Sequence, residues 1–303
     1  MNKKVLAKAA AVLTMTIWGF SFMFSKKAFE FTDPITLLAY RFVVAFVLIH
    51  LAKMLLRIRF DLKGKPVQYL LILGIIQPII YYLCENYGML YSSTTFTGVM
   101  IALIPIAALI GGAVFLKEIP SAVQIIGSAV SVGGVIVLSV TPGTEKIATA
   151  RGAVLMTVAV IAAASFMLLS KGISGMFSTF ERTYFVFAES GAFYLLLALF
   201  RTKFNFRALA QPLAEKSFVT SVAFLGVMAS FVCYFLQNFY VARMSVAEAS
   251  VLANLSTVVT IITGIMILGE PLTAKTIPCT VAIIAGVIVV QLASLRKEEG
   301  IFS

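Results

Sequence analysis

Residues 82–91 read YLCENYGMLY, and residues 234–243 read YFLQNFYVAR. Both stretches end a long apolar segment, and both contain polar side chains that an apolar environment penalises. At a constant offset of 152, three positions match: Tyr82 with Tyr234, Glu85 with Gln237, and Asn86 with Asn238. This correspondence indicates that the chain contains one unit twice.

Further matches extend the repeat over most of the chain. The offset of 152 also places Leu116-Lys117-Glu118 on Leu268-Gly269-Glu270, and an offset of 144 places residues 57–63 (RIRFDLK) on residues 201–207 (RTKFNFR). We therefore interpret residues 1–143 as a first repeat and residues 144–303 as a second.

The composition identifies the environment of the chain. Of 303 residues, 60% are hydrophobic and 12% are charged, and the mean hydropathy is +1.01. Soluble domains carry about 25% charged residues, so this chain is predicted to lie in a lipid bilayer. The net charge of +11 could suggest nucleic acid. The basic residues form short clusters between apolar runs, however, which is typical of membrane topology and argues against a nucleic-acid partner.

Helix-length apolar runs predict an all-α integral membrane protein with ten spans, because one span needs roughly 20 apolar residues. The predicted spans are 9–29, 35–56, 69–88, 94–116, 121–140, 151–171, 180–200, 217–240, 246–268 and 274–294. Five spans per repeat is an odd number, so the second repeat enters the membrane inverted, as in many secondary transporters.

The distribution of Lys and Arg predicts that both termini are cytoplasmic and that the protein is multi-pass in the cell membrane. The basic cluster around Arg201 falls on the opposite side and does not fit this rule. Inversion of a duplicated unit explains it, because an ancestral basic loop would then appear once on each side.

Several motifs resemble the EamA unit of the drug/metabolite transporter superfamily, and the resemblance covers nearly the whole chain. In the first half the motifs are Trp18-Gly19-Phe20, Tyr40-Arg41-Phe42, Gly88-Met89-Leu90-Tyr91, Ile104-Pro105 and Gly133-Gly134-Val135; in the second half they are Leu268-Gly269-Glu270 and Ala285-Gly286-Val287. The second half lacks the Trp-Gly pair. The resemblance implies a transporter with a central cavity lined by helices 1, 3, 4, 6, 8 and 9. Its relatives carry amino acids, amines, sugars or other metabolites, often outward.

Glu85 is the main candidate for the substrate site. An ionisable group inside a span costs roughly 2.5–3.5 kcal/mol, so it usually faces a cavity or a partner. Gln77, Tyr81 and Glu85 recur every four residues and predict one polar face, with Tyr82 and Asn86 beside it. Glu85 could accept a proton or hold a cationic substrate. The alternative is an interfacial glutamate that reaches water from the helix end.

The eighth predicted helix carries a matching polar face of Tyr234, Gln237 and Asn238. Phenols and amides can bind a small polar solute, or they can form interhelical hydrogen bonds worth only about 0.6 kcal/mol per pair. Asn254 has the same two interpretations. Trp18 could supply an aromatic wall and a cation–π contact, or simply pack in the core.

Other polar residues are interpreted as structural. We predict that Arg41 pairs with Asp33 or Glu30 or extends to the interface, with substrate-carboxylate binding as the alternative. Glu118 and Glu270 are predicted to cap the helices that follow them, where a carboxylate meets the positive end of the helix dipole.

Two features bear on helix shape and packing. Pro78 interrupts the third helix and frees backbone carbonyl groups. Gly127, Ser131 and Gly134 recur at helical spacing and predict close packing against the tenth helix.

These observations favour a secondary transporter of a small organic metabolite such as an amino acid or amine, with export and proton coupling as the expected mode. A membrane-embedded enzyme or a regulatory membrane protein is the alternative. There is no HExxH, GxSxG or Walker motif, and Cys84, Cys233, Cys279 and a single histidine predict neither a disulfide framework nor a metal site. No cofactor is expected. The sequence leaves a homodimer open.

Overall fold

The computed structural model describes residues 3–115, 120–140, 148–173, 175–241, 246–270 and 276–298, and these residues are overwhelmingly helical. The main helices are α1 (Lys3–Ala28), α2 (Pro34–Leu55), α3 (Gln68–Leu90), α4 (Thr94–Ile101 and Ile104–Phe115), α5 (Ala122–Val140), α6 (Ala150–Gly172), α7 (Thr179–Arg201), α8 (Lys216–Ala223, Phe224–Val232 and Cys233–Val241), α9 (Val246–Met266) and α10 (Thr276–Glu298). A short helix (Phe206–Ala210) and a 3₁₀ turn (Gln211–Ala214) connect α7 to α8.

The prediction of an all-α membrane protein is confirmed. Seven helical stretches are long and apolar enough to cross a bilayer: Val5–Ala28, Pro34–Leu55, Gln68–Leu90, Thr94–Val114, Ala150–Ser170, Thr179–Arg201 and Lys216–Gln237. Shorter apolar helices occupy Ala122–Gly134, Leu255–Met266 and Ile277–Val290. The count of ten spans stays a prediction.

Helix starts coincide with capping residues in the sequence. The Asp33 side chain accepts hydrogen bonds from two backbone N–H groups in the first turn of α2, and Pro34 fills the first helical position, where no N–H is needed. Ser178 and Glu181 form a capping box at the start of α7. Local chemistry therefore sets where these helices begin.

The helices pack in a symmetric pattern: the contacts stay the same when each helix is exchanged for its counterpart in the other repeat, so that α1 becomes α6, α2 becomes α7, and so on. Helix α1 packs on α8 and α9, as α6 packs on α3 and α4, and α2 packs on α8 as α7 packs on α3. In three further contacts a helix packs on its own counterpart in the other repeat: α2 on α7, α4 on α9 and α5 on α10. Two copies of one five-helix unit would produce this symmetry. The boundary between the two units stays a prediction.

Helices α5 and α10 approach closely through small residues. A Cβ atom at Gly127 would lie 2.9 Å from the carbonyl oxygen of Gly286, and the Ser131 hydroxyl donates to the carbonyl of Ile283 at 2.9 Å. A larger side chain at either glycine would push the backbones apart. The predicted close packing is confirmed.

Helix α3 is kinked within Ile75–Ile80, where Gln77 leaves the helical conformation, and α8 contains a π-helical segment, Phe224–Val232. At the offset of 152, the two irregular segments end at equivalent positions, Ile80 and Val232. Each end lies two residues before one of the matched tyrosines, Tyr82 and Tyr234. π-Helical segments are frequent at functional sites, and a proline such as Pro78 is a common cause of a kink. The two repeats therefore interrupt the helix at equivalent positions by different means.

The kink of α3 corrects one prediction. Gln77 has non-helical backbone angles (φ −145°, ψ 116°), because the residue before a proline avoids the helical region. Gln77 therefore does not continue the polar face of Tyr81 and Glu85. The Tyr194 hydroxyl donates to the carbonyls of Pro78 and Ile79 at 3.1 and 2.7 Å. Helix α7 is thus hydrogen-bonded to α3 at the kink.

Candidate functional site

A set of polar side chains meets between α2, α3 and α8 and is called here the polar cluster. Its members are Arg41, Tyr81, Tyr82, Glu85, Asn86, Ser230 and Tyr234. All of them are buried, none more than 7% exposed. Because α3 belongs to the first repeat and α8 to the second, the cluster lies at the interface between the repeats.

Glu85 is buried inside the cluster and does not extend to an interface. Its Oε1 accepts a hydrogen bond from the Tyr81 hydroxyl at 2.6 Å, and its Oε2 accepts one from Asn86 Nδ2 at 3.2 Å. Tyr81 lies one helical turn before Glu85, so the four-residue spacing places both on one face. Both partners of the carboxylate are neutral, and no described cation lies within ion-pair distance of it.

Asn86 has an unused acceptor in the same place. Its Nδ2 donates to the Tyr82 carbonyl at 2.9 Å as well as to Glu85, whereas its Oδ1 is buried and has no partner among the described residues. A buried acceptor without a donor is unfavourable by about 1–3 kcal/mol. The acceptor is therefore available to a ligand with N–H groups.

Arg41 contributes the only positive charge among the cluster residues, and its position corrects a prediction. Its Nε donates to Ser230 Oγ at 3.0 Å, its Nη2 donates to the Tyr82 hydroxyl at 3.4 Å, and its guanidinium lies 4.5 Å from the centre of the Tyr82 ring. Asp33 pairs with Arg201 instead, at 3.6 Å. The predicted pairing of Arg41 with Asp33 or Glu30 is wrong within the described structure.

Aromatic rings enclose the cluster and join the repeats. The Tyr82 ring lies edge-on to Tyr81 and Phe42, with centroids 4.8 and 5.1 Å apart, and the Tyr234 ring lies 5.0 Å from Phe187. Tyr82 and Tyr234 interact through their hydroxyl groups. The pair that the sequence repeat matched at an offset of 152 therefore meets in space.

Of the remaining predicted site residues, Trp18 and Gln237 lie against or on α8. The Trp18 indole N–H donates to the carbonyl of Ala229 at 2.8 Å, inside the π-helical segment, and the ring packs between α1 and α8. Gln237 is half-buried, one turn after Tyr234. The side chains of Asn238 and Asn254 lie outside the part of the chain that the structure describes.

Glu270 makes a contact that differs from the predicted one. Its carboxylate accepts hydrogen bonds from the backbone N–H groups of Thr94 and Thr95 and from the Thr95 hydroxyl, the last at 2.8 Å. It therefore caps α4 of the first repeat. Residues 271–275 lie outside the described structure, so the cap on the following helix stays a prediction. Glu118, its counterpart in the repeat, lies outside the described residues.

A second contact ties α1 to the same end of the molecule. Lys26 Nζ donates to the carbonyl of Ser92, in the turn before α4, at 2.6 Å. We call the contacts of Lys26 and Glu270 with residues 92–95 the end seal. The end seal therefore ties α1 and the residue after α9 to the start of α4, while the polar cluster is buried among the described residues.

The described residues also contain a groove of about 690 Å³ between α2, α3, α6 and α7, lined mainly by apolar side chains such as Leu83, Val154 and Leu197. None of its lining residues belongs to the polar cluster.

Among the described residues, no group of three or more His, Cys, Asp or Glu side chains could hold a metal ion. His50 Nδ1 is hydrogen-bonded to the Tyr184 hydroxyl at 2.8 Å.

Comparison with known families identifies the class of this protein. Residues 6–140 and residues 150–292 each match the EamA-like transporter family. The chain belongs to this family. It is therefore a transporter by family, and membership of the drug/metabolite transporter superfamily, which the motifs suggested, is confirmed.

Relatives of this EamA-family chain are also named as transporters. It is 30% identical over 290 residues to the uncharacterized transporter YcxC of Bacillus subtilis, covering 95% of this chain and 93% of the relative. It is 27% identical over 278 residues to an uncharacterized transporter of Archaeoglobus fulgidus, covering 92% and 96% of the two chains. A probable terminal-alkyne amino-acid exporter of Streptantibioticus cattleyicolor is 25% identical over 283 residues, covering 93% and 90%.

The fold has a counterpart among solved structures. One crystal structure aligns with a TM-score of 0.67 and covers 96% of this chain and 98% of the other, at 15% sequence identity. At this identity the likeness shows the fold alone.

The sequence analysis of this EamA-family chain missed one member of the cluster and misjudged another. Ser230 lies four residues before Tyr234, so both fall on one face of α8, and this spacing was the available signal. Arg41 was interpreted from its sequence neighbours, whereas its partners come from α3 and α8. A residue on one helix is therefore assigned correctly only when the facing helices are known.

Proposed function

We propose that this EamA-family chain is a secondary transporter of a small organic metabolite that carries an amino group, such as an amino acid or an amine. The observation that carries the proposal is the buried Glu85 carboxylate, held by neutral donors between the two repeats. A carboxylate in a membrane interior is costly, and such groups mark substrate or ion pathways.

The surroundings of Glu85 suit an ammonium group. An ammonium group has three N–H donors and no acceptor. Glu85 supplies carboxylate oxygens, the unpartnered Asn86 Oδ1 supplies another acceptor, and the Tyr81 ring beside Glu85 can add a cation–π contact. In our proposal, protonation of Glu85 weakens the hold on the ammonium group, which couples substrate release to proton uptake.

The proposed transport cycle is alternating access with export. We propose that the protein lies in the cell membrane, that it has ten spans in two inverted repeats, and that both termini are cytoplasmic. In this orientation the end seal lies at the outer face, so the polar cluster fills from the cytoplasm when the opposite end opens. The name of the Streptantibioticus relative, an amino-acid exporter, agrees with this direction.

Thermal unfolding of the purified protein with a panel of amino acids and amines tests the proposal. A ligand at 100 times its dissociation constant, binding only the folded state, adds about 2.7 kcal/mol to the unfolding free energy. We expect at least one compound to raise the melting temperature of the wild type and to lose most of that shift in Glu85→Gln.

The matched control is Glu215→Gln, which makes the same change at an exposed position before α8. It should keep the full shift. A compound that stabilises wild type, Glu85→Gln and Glu215→Gln equally would remove Glu85 from the binding site.

A further inference from the structure

Arg41 is a buried cation whose described hydrogen bonds go only to neutral groups, with the Glu85 carboxylate near enough to attract it but not in ion-pair contact. Its side chain is 3% exposed, on a helix that is apolar and long enough to cross the membrane. Arg and Lys in such positions almost always face a partner or a cavity, because an unpaired charge in a membrane is expensive. Its hydrogen bonds go to two hydroxyl groups, those of Ser230 and Tyr82.

The guanidinium group retains unused donor capacity. Arginine has five N–H donors in a planar fork, and the described hydrogen bonds start from Nε and Nη2 only. Within the described residues no carboxylate lies within 4.0 Å of the group, and the nearest acid along the helix, Asp33, caps α2 and pairs with Arg201. The fork geometry matches a carboxylate, which it binds with two parallel hydrogen bonds.

The polar cluster therefore has two chemically different sides. On one side, Glu85 and Asn86 Oδ1 present acceptors. On the other side, Arg41 presents donors, and Tyr82 is in contact with both sides, through its hydroxyl with Arg41 and through its carbonyl with Asn86. A ligand that satisfies both sides needs a cation and an anion on one small molecule.

We propose that Arg41 is the carboxylate-binding residue of the site, so that the substrate is an amino acid and not a simple amine. The ammonium group lies against Glu85 and Asn86, and the carboxylate lies against Arg41 and the hydroxyl of Ser230. This inference rests on the proposed function, because it assigns the second half of the same site. It also explains why a membrane protein keeps an arginine at this position.

A binding experiment with matched ligands tests the role of Arg41. The protein is purified and each free amino acid is titrated; the best binder is then compared with its amide, which lacks the carboxylate charge, and with its decarboxylated amine. We expect wild type to bind the amino acid about 10-fold to 100-fold more tightly than the amide, as loss of a charged hydrogen bond predicts. In Arg41→Gln this preference should disappear, so that the amino acid and its amide bind about equally tightly, with the affinity for the amide unchanged from wild type.

The control variant is Arg207→Gln, which removes an exposed arginine outside the cluster and should keep the preference. If Arg41→Gln does not fold, the preference of the wild type for acid over amide still tests whether the site binds the substrate carboxylate, without which the assignment of Arg41 fails. Equal affinity of wild type for the amino acid, its amide and its amine would overturn the assignment of Arg41 but leave the proposed function standing. Absence of binding by every amino acid and amine would overturn the proposed function and this inference with it.

Discussion

Glu270 gives the sharpest prediction because its contacts cross from one repeat to the other. Its carboxylate caps α4 through the N–H groups of Thr94 and Thr95 and the Thr95 hydroxyl. Glu270→Gln keeps the size of the side chain but removes its charge and one acceptor oxygen. Hydrogen bonds to charged groups contribute about 1.5–3 kcal/mol each, against about 0.5–1.5 kcal/mol for neutral ones, and a carboxylate at a helix N-terminus adds about 0.3–1 kcal/mol. We therefore expect the cap to weaken by about 2–4 kcal/mol.

Hydrogen exchange of the amides at the start of α4 measures this loss directly, because those amides donate to Glu270. A weakening of 2–4 kcal/mol corresponds to an exchange rate about 30-fold to 1000-fold higher, since each 1.4 kcal/mol is a factor of ten. Mass spectrometry of a peptide that covers residues 91–98, with the protein in lipid nanodiscs, resolves this change.

A second substitution reaches the same contact by steric means. A Cβ atom at Gly264 would lie 2.7 Å from Glu270 Oε2, so Gly264→Ala should displace the carboxylate and raise exchange in the same peptide. Gly133→Ala is the matched control, because a Cβ atom there meets nothing within 4 Å. Unchanged exchange in both Glu270→Gln and Gly264→Ala would refute the role of Glu270 as the cap of α4.

Three further substitutions follow from single contacts. Gly286→Ala should lower the melting temperature markedly and Gly133→Ala should not, because the new methyl group would lie 2.6 Å from the Gly127 carbonyl oxygen. Tyr194→Phe should destabilise the protein by about 0.5–1.5 kcal/mol in thermal unfolding, since it removes the buried hydrogen bond from α7 to the carbonyls at the kink of α3; an unchanged stability would show that this hydrogen bond makes no net contribution. Arg201→Gln should change stability by at most about 1 kcal/mol, because its ion pair is exposed, and a larger loss would mean that this contact holds α2 against α7.

The sequence predicted those features that depend on local chemistry or on small-residue spacing. Asp33 and Pro34 mark the start of α2 because capping needs only neighbours in the chain. The small residues of α5 predicted its contact with α10 because only such residues permit close approach. Tyr82 and Tyr234 could be matched because a repeat places equivalent residues near the same interface.

The contacts that the sequence misassigned depend on which helices face each other. Arg41 lies eight residues after Asp33, about 12 Å along the helix axis, so the two side chains reach different surroundings: Asp33 caps its own helix, while Arg41 meets Ser230 of α8. The neighbours of Glu270 in the chain predicted only a cap on the next helix, whereas its carboxylate contacts the start of α4 in the other repeat. No local rule contains that information.

The central claim is that the polar cluster around Glu85 is the site through which substrate passes. Counterflow into proteoliposomes tests it most directly, with the amino acid or amine selected by thermal unfolding and with wild type, Glu85→Gln and Glu215→Gln reconstituted in parallel. We predict saturable counterflow by wild type and Glu215→Gln, and a loss of at least about tenfold in transport efficiency for Glu85→Gln, as expected when a buried charged contact is removed. Transport by Glu85→Gln with wild-type rate and affinity would contradict the account.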